Sequence, residues 1–89
     1  MLFLFLLKRD VENDNQPKWD ATHGFIIAAM NEVEVRIIAA SYRRGPTLKI
    51  DNGDESPNVW FAPTTSCTRI GVAADGIPAG VIMRDFHAA

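Results

Sequence analysis

Three side chains in this 89-residue chain are of the types that most readily supply a nucleophile or a neutral-pH base: the single cysteine, Cys67, and the two histidines, His23 and His87. A cysteine nucleophile acts as its thiolate and needs a base or a positive neighbour to form it. Cys67, however, stands in Cys67-Thr68-Arg69-Ile70-Gly71-Val72-Ala73, a strand-like alternating run in which a lone cysteine serves as a small hydrophobe. No catalytic residue is assigned, and the chain is expected not to be an enzyme. His23, His87, Cys67 and the several aspartates show none of the close-paired spacings of structural zinc sites, so no metal and no cofactor are expected. Asp51-Asn52-Gly53-Asp54-Glu55 has the acidic content of a calcium loop, but its glycine is third where an EF-hand needs it sixth, so the segment reads as a solvated turn. No glycine-rich nucleotide cradle and no hydrolase nucleophile elbow occurs.

What remains is binding chemistry. Arg43, Arg44 and Lys49 concentrate positive charge, and with Tyr42 they suit a phosphate or an acidic protein surface. Placed at the end of a helix, both arginines would also complement its dipole without any ligand. Trp19, Trp60 and Phe61 are the aromatics able to anchor an interface. Trp60 and Phe61 fit core packing as well, whereas Trp19 stands in a polar loop. The expected partner-binding surface is therefore Trp19, Arg43, Arg44, Asp51, Asp54 and Glu55, which combine an aromatic anchor with charges of both signs.

The elements that must position these residues belong to one domain, residues 1–89, because a chain of 9.8 kDa cannot close a second core. A hydrophobic content of 47% with 22% charged residues is that of a globular protein, and a net charge of −2 gives no general attraction to nucleic acid or to an anionic membrane. One cysteine cannot make an intramolecular disulfide, which fits a reducing cytoplasm. The apolar opening, Leu2 to Leu7, lacks a preceding basic residue and a following cleavage site, and is too short to span a bilayer. Residues 2–8 are instead expected to form a strand inside the sheet, with neighbours on both sides.

Val11 to Thr22 reads as a solvated loop, and Gly24 to Ala29 as a second strand antiparallel to the first. Asn31 to Arg44 carries conflicting signals. Glu32-Val33-Glu34-Val35-Arg36-Ile37 alternates like a strand, yet Asn31 is a good N-cap, Glu34 sits at N3, Glu32 and Arg36 are spaced i,i+4, and Gly45-Pro46 would end a helix. The punctuation favours a helix over 31–44, with Val35, Ile38, Ala39 and Tyr42 on one stripe and Val33, Ile37 and Ala40 on a second. Strands are then expected from Val59, from Cys67 and from Gly80. The predicted order is β-β-α-β-β-β: an α+β fold in which one helix covers one face of an antiparallel four- to five-stranded sheet, with Leu4, Leu6, Phe25, Ile27, Ile38, Trp60, Ile70 and Ile82 in the core.

Trp19-Asp20…Gly24-Phe25-Ile26-Ile27-Ala28, Val59-Trp60-Phe61-Ala62-Pro63…Ser66-Cys67-Thr68…Ile70-Gly71 and Gly80-Val81-Ile82-Met83…Asp85-Phe86 together resemble a family of small uncharacterised phage and prophage proteins. The likeness spans most of the chain. In that family the middle region is a helix opening with Ser or Asn and containing an Arg followed by paired alanines, similar to Asn31, Arg36, Ala39 and Ala40. Ala62 departs from it by replacing an acidic residue, and Ala88-Ala89 stands where Ala-Gly is common. The resemblance carries no catalytic or binding residue. By analogy with other small phage and mobile-element proteins without enzymatic motifs, a phage accessory protein acting in the host cytoplasm by stoichiometric binding to a host protein or complex is expected, with inhibition of a host defence complex, as by anti-CRISPR proteins. A nucleic-acid-binding accessory module and a self-associating virion or assembly protein are the alternatives; no membrane partner is expected.

Overall fold

The computed structural model describes residues 1–42 and 57–88. Along the chain run β1 (Phe3–Lys8), β2 (Ala21–Ala29), α1 (Glu32–Ser41), a 3-10 helix (Pro57–Phe61), β3 (Ser66–Val72) and β4 (Gly80–His87). The four strands form one antiparallel sheet in the order β3-β1-β2-β4. The α+β architecture and the interior place of the N-terminal strand agree with the sequence. None of the described helices is long and apolar enough to cross a membrane.

Phe5, Leu7, Phe25 and Ile27 point to the face that α1 and the 3-10 helix cover, where they meet Val35, Ala39, Val59 and Trp60. Phe25 packs edge-on against Trp60, ring centroids 4.9 Å apart, and against Tyr42 at 5.4 Å. Of the expected core, Phe25, Ile27 and Trp60 are buried and Ile38 packs partly against them. Leu4 is half-buried, while Leu6, Ile70 and Ile82 are exposed. The reasons are geometric. β1 is apolar at nearly every position, so composition does not say which parity faces the helix, and a one-residue change of parity reverses every side chain. Ile70 and Ile82 are extra residues at register irregularities: Phe5 pairs with Arg69 and Leu4 with Gly71, while Ile26 pairs with Met83 and Ile27 with Val81. Such bulges remove a residue from the alternation.

The strand expected from Val59 is a 3-10 helix instead, so the described residues hold four strands and the order β-β-α-β-β. Arg36 supplies the cause. Its Nη1 donates to the Trp60 carbonyl at 2.8 Å and its Nη2 to that of Thr65 at 2.9 Å, while Thr65 Oγ1 donates to the Val59 carbonyl at 2.7 Å. Carbonyls that a ladder would have used are gathered under the helix. Phe61 consequently turns outward and is half-exposed.

The helix starts as its punctuation indicates: Asn31 Oδ1 accepts from the Glu34 amide at 2.9 Å, and Arg36 Nε lies 3.0 Å from Glu32 Oε2. Glu34 reaches back to the Met30 amide, one residue earlier than a standard capping box. Its end differs from the expected 31–44. The helix stops at Ser41, Tyr42 takes an extended backbone with ψ 131°, and the last turn contains no basic residue. Val35 and Ala39 are buried, but Val33 and Ile37 of the second stripe face outward, so the buried arc is narrower than two stripes.

Candidate functional site

The segment after β1 is polar, yet it is held by a buried cation. Arg9 is 3% exposed. Its Nε donates to Asp14 Oδ2 at 2.7 Å and its Nη2 to Asp14 Oδ1 at 3.2 Å, a bidentate pair, while Nη1 donates to the Thr22 carbonyl at 2.8 Å and Nη2 to that of Pro17 at 2.9 Å. The planar fork of arginine suits this role. Burial pushes the Asp14 carboxyl up, but the bonds from Arg9 and from the Gln16 amide outweigh it and hold the group below the usual carboxylate range. Asn15 and Asp20 adopt positive φ, 59° and 51°, a region that short Asn and Asp side chains tolerate. Residues 10–20 are therefore a loop fixed from beneath by Arg9, with Trp19 63% exposed on its surface.

The loop delivers the chain into β2 earlier than expected, at Ala21, so His23 lies in the sheet. Thr22 pairs with Phe86 and Gly24 with Asp85, which leaves His23 as an extra residue between two paired positions. Bulges re-aim side chains. Here the His23 ring stacks on that of His87, with centroids 3.7 Å apart and planes 8° from parallel. Asp85 and His87, two apart in β4, share a face, and His87 Nε2 lies 3.0 Å from Asp85 Oδ1. His23 Nε2 sits 2.6 Å from the Lys18 carbonyl, next to Trp19 in the chain. The three side chains line a hollow of about 380 Å³ together with Leu6, Lys8 and Gly24. Gly24 is required there: a Cβ would stand 2.8 Å from the Leu7 carbonyl oxygen.

This hollow opens on the face of the sheet opposite the helix. Along that face Leu6 pairs with Ile26 and Ile26 with Met83, an apolar row crossing β1, β2 and β4. Leu6 is 38% and Met83 62% exposed. Lys8 flanks the row on β1 and Asp85 on β4.

Of the residues expected to bind a partner, Trp19 is exposed in the loop before β2, next in the chain to the Lys18 carbonyl that His23 meets; Arg43, Arg44, Asp51, Asp54 and Glu55, like Lys49, lie outside the described residues. Cys67 is not brought to either histidine. It pairs with Leu7 on β3, at the edge of the sheet opposite β4, and packs partly against the core. Burial, with the Glu32 charge, pushes its thiol up against the opposing effect of Arg36. The His23, Asp85 and His87 cluster escapes a reading by spacing because long-range strand pairing creates it. Asp85-x-His87, at the end of the strand expected from Gly80 to Phe86, is the one local signal, and β4 extends to include His87. Comparisons with protein-family models, curated proteins and solved structures find no match.

Proposed function

We propose that this protein acts by stoichiometric binding to another protein, with the sheet face opposite the helix as its contact surface and Trp19, exposed in the loop before β2, as a further anchor. The observation that carries the reading is the row Leu6, Ile26 and Met83, where aliphatic side chains of three adjacent strands face away from the core. An aliphatic row with Lys8 and Asp85 in the next row on one side of it suits an apolar segment of a partner polypeptide that carries charges at one edge, apolar contact bordered by polar groups being the usual anatomy of a protein interface.

Nucleic-acid binding is less well supported, because several described cations are already engaged. Arg9 is held by Asp14, Lys18 lies 3.2 Å from Glu12, Arg36 serves Glu32 and the 3-10 helix, and Arg69 lies over the Phe3 ring. The reading is non-enzymatic, resting on a Cys67 that stands apart from both histidines with a raised thiol. Inhibition of a host defence complex in the host cytoplasm, the anti-CRISPR type of action, is the narrower form of the proposal and derives from the phage-family resemblance.

Affinity capture from host lysate, with and without nuclease, tests it against a Leu6→Glu, Met83→Glu double variant. Both sites are exposed, so the variant is expected to keep its circular-dichroism spectrum. The expected result is a nuclease-insensitive protein partner held by the wild type and lost by the variant, and a defence effector as that partner supports the narrower form. Equal capture by both proteins overturns the assigned surface. Nucleic acid alone, or only the protein's own oligomer, overturns the proposal in favour of a nucleic-acid module or of self-association through a sheet edge.

A further inference from the structure

Two imidazoles and a carboxylate converge at one end of the open sheet face, and their ligating atoms all lie within 4.8 Å of one another. We propose that His23, Asp85 and His87 form a binding site for a divalent first-row transition ion of the zinc type. The proposal is independent of the protein-binding reading.

Four observations support it. The donor set of two nitrogens and one carboxylate oxygen is one used by zinc sites that keep a position open. The spacing is close to what an ion requires: zinc bonds of roughly 2.0–2.1 Å in a tetrahedron place the donors about 3.4 Å apart. Exposed side chains can close the remaining distance by rotation, and the side chains of His87 and Asp85 are 39% and 65% exposed. The irregularity between Thr22 and Gly24 brings His23 against His87, and the two rings need only turn out of their parallel stack for both in-plane lone pairs to aim at one ion. Finally, an outer partner is present. With its Nε2–H donating to the Lys18 carbonyl, His23 has its Nδ1 lone pair free for an ion, and such second contacts fix the tautomer of metal-binding histidines.

The surrounding charges do not oppose the ion strongly. Arg9 lines the hollow but is neutralised by Asp14, and Lys8 is exposed and free to extend into water. Three protein donors leave the fourth position to solvent or to an outside ligand. Calcium and magnesium, which favour oxygen donors, match this set poorly.

Zinc chloride titrated into the full-length, metal-stripped protein and followed by isothermal calorimetry tests the site. One saturable site per chain is expected, weakened at least about tenfold by His23→Ala or His87→Ala, in line with the loss of one of three ligands. Asp85→Asn, at an exposed position, is the variant least able to disturb folding and should also weaken binding. Circular dichroism of each variant without metal establishes that the sheet persists. Cobalt(II) as a second probe should give the visible spectrum of a nitrogen- and oxygen-ligated ion in the wild type, unchanged in Cys67→Ser. Absence of saturable zinc binding up to about 1 mM, a Kd beyond which the free energy is only about −4 kcal/mol, overturns the proposal. So does binding that survives in the folded His23→Ala, His87→Ala double variant, or binding lost in Cys67→Ser.

Discussion

Replacing Arg9 with methionine keeps much of the aliphatic stem and removes the group that organises residues 10–20. In the folded protein this leaves the Asp14 carboxylate, whose side chain is 1% exposed, with the Gln16 amide but no positive partner, and takes the Arg9 bonds from the Thr22 and Pro17 carbonyls. Removing one member of a buried ion pair costs about 3–5 kcal/mol, because the remaining charge stays out of water uncompensated. An 89-residue domain has about 4–13 kcal/mol of stability in total. The substitution is thus expected to remove a large fraction of it and to lower the melting temperature by about 12–40 °C, at about 4–8 °C per kcal/mol. Urea unfolding followed by the fluorescence of buried Trp60, in a Trp19→Phe background, measures the loss.

The sign of the pH dependence supplies a second test. Asp14 titrates below its unfolded value in the native protein, so its contribution is present at neutral pH and lost as pH falls through the depressed folded pKa. Without Arg9, burial is opposed only by the Gln16 amide and the weaker effect of His23, so the folded pKa rises relative to the wild type and Arg9→Met should lose less stability on mild acidification than the wild type does. Arg9→Met combined with Asp14→Leu should be more stable than the two single losses added together. A loss below about 1 kcal/mol, or additive losses in the double variant, would refute the role given to this pair.

Gly24→Ala should lower stability by about 1–3 kcal/mol in the same urea assay, because the new Cβ meets the Leu7 backbone oxygen, which cannot move without shifting β1. An unchanged midpoint would contradict that contact. Cys67 should alkylate slowly, with a rate that climbs only at pH above the value near 8.5 of a free thiol. Fast iodoacetamide labelling at pH 7 would count against its place beside the core and against a non-enzymatic reading.

The comparison between sequence and structure turns on periodicity. Asn31, Glu32, Glu34 and Arg36 act within one or two helical turns, and their capping and pairing were readable because both partners lie in the same short segment. The helix end was less readable. Gly45-Pro46 marks a place beyond which a helix cannot continue, and the chain leaves the helix before reaching it, at Tyr42. For Val59-Trp60-Phe61 the residue types favour a strand, but three-dimensional contact with Arg36, far away in sequence, bends the segment into a 3-10 helix.

The amino-acid sequence alone determined that the fold is α+β, that its apolar N-terminal segment belongs inside a sheet, and that a capped helix follows the second strand. Those features depend on composition, on runs of apolar residues and on local hydrogen bonds. Tertiary structure decided which face of β1 is buried and that Ile70, Ile82 and His23 fall at breaks in the alternation. It also decided that Arg9 lies beneath a polar loop and that His23 meets His87 and Asp85. Each of these depends on strand register, and register is set by the summed packing of distant segments rather than by any residue and its neighbours in the chain.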